Sequence, residues 1–73
     1  MPEIPLGAID RIIRKNGNSR VKVESSQLLR EILEDIGRDI VIKASELAKN
    51  RNQQVITKSD IQLAFELYKK SLF

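Results

Sequence analysis

The chain contains no cysteine and no histidine. The first absence excludes a disulfide staple and a thiolate metal cage. Together they exclude the usual zinc sites, Ser-His triads and cysteine nucleophiles. Tryptophan is also missing, and two Phe and one Tyr make no aromatic platform for stacking single-stranded bases. The longest apolar run is Ile40-Val41-Ile42, far short of the ~20 residues that span a bilayer. Residues 1–5 have neither the basic start nor the apolar stretch of a signal peptide. No glycine-rich phosphate loop occurs, and Glu34 and Asp35 sit among charged neighbours like a solvated helix face. The expectation is a soluble intracellular protein that is not an enzyme, with no cofactor, no metal, no membrane and no small-molecule substrate.

What is present fits a single domain over residues 1–73. A core this small is marginal for a monomer. With disulfides and metal excluded, oligomerisation or unusually good helix packing is left to stabilise it. Thirteen Lys and Arg face ten Asp and Glu, net +3, which permits an anionic partner without demanding one. The excess is local. Residues 1–23 carry five cations against two acids, whereas residues 24–51 carry five against six.

The pattern is all-α. After Pro5, the residues Leu6, Ile9, Ile12 and Ile13 recur at helical spacing, with Arg11, Arg14 and Lys15 on the opposite face. Asn16-Gly17-Asn18 ends this helix, with Gly17 placed for a left-handed cap. Residues 19–23 alternate polar and apolar, as a loop with a very short strand would. From about Glu24 to Arg51 there is no Pro and one Gly, Gly37. Leu29, Leu33, Ile36, Ile40, Ala44 and Leu47 step by helical intervals there, and Leu28, Ile32, Val41 and Ala48 widen the stripe. The spacing predicts one helix about 40 Å long at ~1.5 Å per residue. Thr57-Lys58-Ser59-Asp60 has the form of a capping box, with Asp in place of the usual Glu. It opens a third helix bearing Ile61, Ala64, Phe65 and Tyr68, followed by an apolar tail, Ser71-Leu72-Phe73.

Two short helices cannot cover so long an apolar rod. An intertwined dimer with its long helices crossed near their centres, Leu29, Leu33, Ile36, Ile40 and Leu47 forming its core, solves the problem. The other solution is a monomeric three-helix bundle with the long helix broken at Gly37.

These residues resemble archaeal histones over nearly the whole length. The similarity lies in Ile4-Pro5-Leu6 before Ile9-Asp10-Arg11-Ile12-Ile13-Arg14, in Gly17 and Arg20-Val21, in Ile32-Leu33-Glu34-Asp35-Ile36-Gly37-Arg38-Asp39-Ile40, in Glu46-Leu47-Ala48-Lys49, and in Asp60-Ile61-Gln62-Leu63-Ala64. The resemblance implies a histone-fold homodimer that binds double-stranded DNA through phosphates, forms higher oligomers on it, and is associated with the chromosome in the cytoplasm. Arg11 and Arg14 fall at the family's phosphate-contacting positions and Arg20 at its minor-groove arginine. Lys15, Lys22, Gln54 and Lys58 complete the implied DNA surface. Leu47, Asn50, Asp60 and Leu63 fall where dimers join, and Gly17 where adjacent turns of a superhelix stack.

The second loop departs from the family. A basic residue and a Thr are replaced by Gln54 and Val55, and Gln53 stands where the family has an Arg paired with the Asp that opens the last helix. That pair is therefore expected to be absent, with Arg51, two residues earlier, the nearest substitute. Asn50 stands at a position where assembling members have a His. It can still donate a hydrogen bond but carries no charge. The expected function is an architectural DNA-binding protein that bends, wraps or compacts duplex DNA with little sequence preference. The alternative is a histone-fold interaction subunit of a larger complex, which the neutral second loop favours and the basic first helix opposes.

Overall fold

The computed structural model describes residues 2–17 and 20–72. Three helices follow in order: α1 Leu6–Asn16, α2 Val23–Asn50 and α3 Lys58–Leu72. No strand occurs among the described residues. The expected turn at Asn18 and the start of the short strand at Ser19 lie outside them, as does Phe73. Tertiary contacts divide the chain into two compact units, residues 1–35 and 36–73, and α2 passes from one into the other without a break.

α1 starts where Pro5 fixes an extended turn at φ −61°, ψ 138°. The Pro5 carbonyl accepts the N–H groups of Ala8 and Ile9 at 3.1 and 3.4 Å. No side chain caps this end, and its first turn has no acidic residue. Arg14 and Lys15 occupy the last turn, where cations complement the helix dipole. Gly17 ends the helix by donating to the Ile13 carbonyl at 2.7 Å. Its φ is −139°, so the left-handed cap expected there does not form. The small residue suits the position for another reason: a Cβ would sit 3.2 Å from the Ile13 oxygen.

Within residues 1–35, Ile9 of α1 and Ser26 of α2 are fully buried. A buried hydroxyl is costly without a partner, and Ser26 donates its proton to the Asp10 carboxylate. Leu6 and Ile13 are half-buried, while Ile12, placed by its spacing on the same apolar face, is 49% exposed.

α2 is continuous over 28 residues, so Gly37 does not break it and the broken-helix alternative is ruled out. A Cβ at Gly37 would meet nothing within 4 Å. The helix opens at Lys22, whose carbonyl accepts from Ser25 and Ser26, and closes in a Schellman motif. Gln53 N–H donates back to the Ala48 carbonyl and Asn52 N–H to that of Lys49, each at 2.9 Å. Asn52 takes the left-handed conformation this requires, φ 59°. It is the non-glycine residue that tolerates that region best.

Among the described residues of 36–72 the buried apolar positions are all alanine: Ala44 and Ala48 on α2 and Ala64 on α3. α3 runs 15 residues. Ser71 and Leu72, expected to form part of a tail, continue it, with the Ser71 hydroxyl donating to the Tyr68 carbonyl at 2.8 Å.

Asn52 gives a direct check on the α2 terminus. Replacing it with Gly removes the Cβ penalty and should leave stability equal or higher by up to about 1 kcal/mol. Asn52→Val should cost about 1–2 kcal/mol through the same backbone term. Thermal unfolding of both variants measures the difference.

Candidate nucleic-acid interface

The cations singled out in the sequence are all solvent-facing. Arg11, Arg14 and Lys15 are exposed on α1, on the side away from buried Ile9. Arg20 and Lys22 are exposed in the segment leading into α2. Thus the five cations that give residues 1–23 their excess charge lie on the surface of one compact unit. Gln54 and Lys58 are exposed in the other unit, in the loop before α3 and at its first residue. Val55 is 68% exposed beside them, an apolar side chain with nothing over it.

Among the described residues, two side-chain hydrogen-bonding sites tie α1 and the segment before it to the first half of α2. One is the Asp10–Ser26 hydrogen bond. The other comes from Glu34, whose carboxylate Oε2 accepts the backbone N–H groups of Glu3 at 2.5 Å and Ile4 at 2.8 Å. The Ile4 bond is the main reason its carboxyl titrates below the ordinary glutamate range. The Glu3 bond and nearby Arg30 act in the same sense, and desolvation opposes them. Glu34 is therefore not the solvated acid expected from its neighbours. Its partners lie about thirty residues away, and no local pattern announces them.

The second loop is built around Asp60. The predicted capping box is present: Asp60 N–H donates to Thr57 Oγ1 at 3.3 Å, and Thr57 N–H donates to Asp60 Oδ2 at 2.9 Å. The ion pair expected to be missing is also present, made by a different residue. Arg51 Nη2 lies 2.5 Å from Asp60 Oδ2. The Schellman turn explains the substitution, because it folds the chain back immediately after Arg51 and carries that side chain to the start of α3. Gln53, the residue expected opposite Asp60, is exposed. The Asp60 side chain is 6% exposed and that of Arg51 48%, so the carboxylate is the enclosed partner.

Leu47, Asn50, Asp60 and Leu63, matched to the family's assembly positions, converge on one open hollow of about 620 Å³. Arg51, Thr57 and Ser59 complete its wall. Arg51 therefore occupies the face on which the uncharged Asn50 stands.

The Asp60 network carries a pH signature. The Thr57 backbone hydrogen bond chiefly, with the Thr57 hydroxyl and Arg51, holds the Asp60 carboxyl below its ordinary value of 3.8 against the opposing effect of burial. A group whose folded-state pKa is depressed stabilises the fold above its unfolded-state pKa. That contribution is lost as pH falls through the lowered value. Asp60→Asn should lower the unfolding midpoint at neutral pH, and the gap to the parent should close progressively below about pH 4. Chemical denaturation at a series of pH values reads this out.

A family model described as "Histone-like transcription factor (CBF/NF-Y) and archaeal histone" matches residues 2–65. The chain is 36% identical to one of the subunits of archaeal histone HAN1 of Thermococcus zilligii over 64 residues, covering 88% of this chain and 96% of that one. It is 31% identical to probable archaeal histone 3 of Methanocaldococcus jannaschii, with the same coverage. The matched region takes in α1, all of α2, the capping box and the first half of α3. With the short–long–short helix order and the Arg–Asp pair at the start of α3, these matches give the identification: the chain belongs to the histone-fold family of histone-like transcription factors and archaeal histones.

Proposed function

We propose that this protein is an architectural DNA-binding protein that acts as an obligate homodimer, binds duplex DNA mainly through its phosphates, and bends, wraps or compacts it. The observation that carries the reading is the exposed cationic set Arg11, Arg14, Lys15, Arg20 and Lys22 on a histone-family chain. Clustered cations supply sequence-independent affinity by releasing counterions from the phosphate backbone. Specificity then comes from DNA deformability, with Arg20 in the minor groove. A homodimer doubles the net charge to +6. The archaeal histone relatives support the same role and a location on the chromosome, and no helix among the described residues is long and apolar enough to cross a membrane.

The dimer is supported by what the single chain leaves bare. Among the described residues the buried apolar side chains are Ile9 and three alanines, while fourteen large ones are exposed, including Leu28, Ile32, Leu33 and Val41 along α2. Leu29, Ile36, Ile40 and Leu47 are half-buried. Each large aliphatic side chain is worth about 1.5–3 kcal/mol on full burial, and such a surface is covered by a partner in a stable protein. Dimers then join through Leu47, Asn50, Asp60 and Leu63, with Gly17 at contacts between successive turns of the assembly. In the dimer the first loop of one protomer lies beside the second loop of its partner, so Gln54 and Lys58 join the DNA surface.

Placing a carboxylate in the dimer core should abolish folding and association together, because an unpaired buried charge costs several kcal/mol. Ile40→Asp is expected to show no cooperative unfolding by circular dichroism. A folded parent monomer at micromolar concentration in sedimentation would refute the dimer.

For DNA, log affinity should fall linearly with log salt, by ~0.9 per phosphate neutralised. Arg14→Ala and Arg20→Ala should each weaken binding to all sequences and reduce the slope by about two, one contact per protomer. Gln54→Lys should tighten binding. Fluorescence anisotropy on one random duplex, with circular dichroism as a folding control, makes the comparison. If both arginine variants bind like the parent, the interaction-subunit reading replaces this one.

A further inference from the structure

α1 is an 11-residue helix without a side-chain N-cap, and isolated helices of that length are marginal in water. Yet it carries three of the six cations of the proposed DNA surface. Where those cations point depends on how α1 is seated. Ile9 and the Asp10–Ser26 bond hold it at mid-helix. Its entry is held from outside, by a single carboxylate on α2 that takes two consecutive backbone N–H groups, those of Glu3 and Ile4, immediately before Pro5.

We propose that Glu34 is a positioning residue for DNA binding: its carboxylate clamps the segment ahead of α1 and so fixes the register in which Arg11, Arg14 and Lys15 meet the phosphates. The proposal rests on the DNA-binding reading and adds to it a residue that touches no DNA. Charge-assisted hydrogen bonds to a carboxylate are about twice as strong as neutral ones. Two on one oxygen restrain the chain direction at the point where the helix begins. Without them the first turn, having no cap of its own, is free to fray.

The sign of the effect separates this role from simple electrostatics. Glu34 is an anion on a protein proposed to bind a polyanion. Removing it raises the net charge by one per protomer, which by charge alone strengthens attraction to DNA. The clamp requires the opposite. Glu31, one turn earlier on α2 and exposed, supplies the control, since its removal makes the same charge change with no bond to the α1 entry.

The experiment compares the parent with Glu34→Ala, Glu34→Gln, Glu31→Ala and Glu31→Gln by anisotropy titration on a random duplex at two salt concentrations. Amide hydrogen exchange at Glu3 and Ile4 is followed in the same proteins without DNA. Glu31→Ala is expected to bind as tightly as the parent or more tightly. Glu34→Ala is expected to bind several-fold more weakly and to lose protection at both amides. Glu34→Gln is expected to be intermediate, because its amide oxygen still accepts. Circular dichroism at the assay temperature establishes that each variant is folded. If Glu34→Ala does not fold, Glu34→Gln against Glu31→Gln decides: weaker binding supports the clamp and equal binding overturns it. A folded Glu34→Ala that binds as well as Glu31→Ala overturns the proposal alone. A parent that does not bind duplex DNA overturns the functional reading and the proposal with it, whatever the amides show.

Discussion

The rest of the structure depends on one imbalance, between the apolar surface that α2 carries and the little that its own chain buries. A helix of 28 residues with aliphatic side chains along its length makes a long stripe, and the described core of a single chain comes down to Ile9 and three alanines. Alanine buries little area, so most of the hydrophobic free energy available to this sequence is not realised within one chain. Hydrogen bonding and capping shape the helices without making up that deficit, because each net bond contributes only about 1 kcal/mol. This is why association is part of the fold in the proposed function and not a later event.

A single carboxylate organises the second loop. Asp60 closes the capping box with Thr57 and holds Arg51. In the family pattern the arginine comes from a position that here is Gln53. The chain recovers the pair by taking its cation from the end of α2, which a left-handed Asn52 makes possible. The loop is thus neutral at Gln53, Gln54 and Val55 and still braced. The brace is kept without a basic residue at those three positions, and in the proposed function DNA contact falls to Lys58 and the first loop.

The first unit shows the same economy of polar contacts. Asp10 and Glu34 are acids of the unit that carries the exposed cations of α1, and each is committed to seating α1: one through a buried serine hydroxyl, the other through backbone amides. Their charge is partly compensated by these bonds. Arg11, Arg14 and Lys15 stand exposed on the outer face of α1.

The amino-acid sequence alone determined the three helices, their order, the capping box at Thr57 and Asp60, and the exposed basic face of α1. Each follows from periodicity or from residues three or four apart, and interactions of that range are written in adjacent positions. The left-handed cap expected at Gly17 was a local inference that failed, because the helix end closed on the Ile13 carbonyl in another backbone conformation. Tertiary structure alone decided that Arg51 replaces the expected arginine at Asp60 and that Glu34 binds the entry to α1. These contacts join residues 9 and about 30 positions apart. Whether such groups meet depends on how the turns fold the chain back, and sequence spacing carries no record of that geometry.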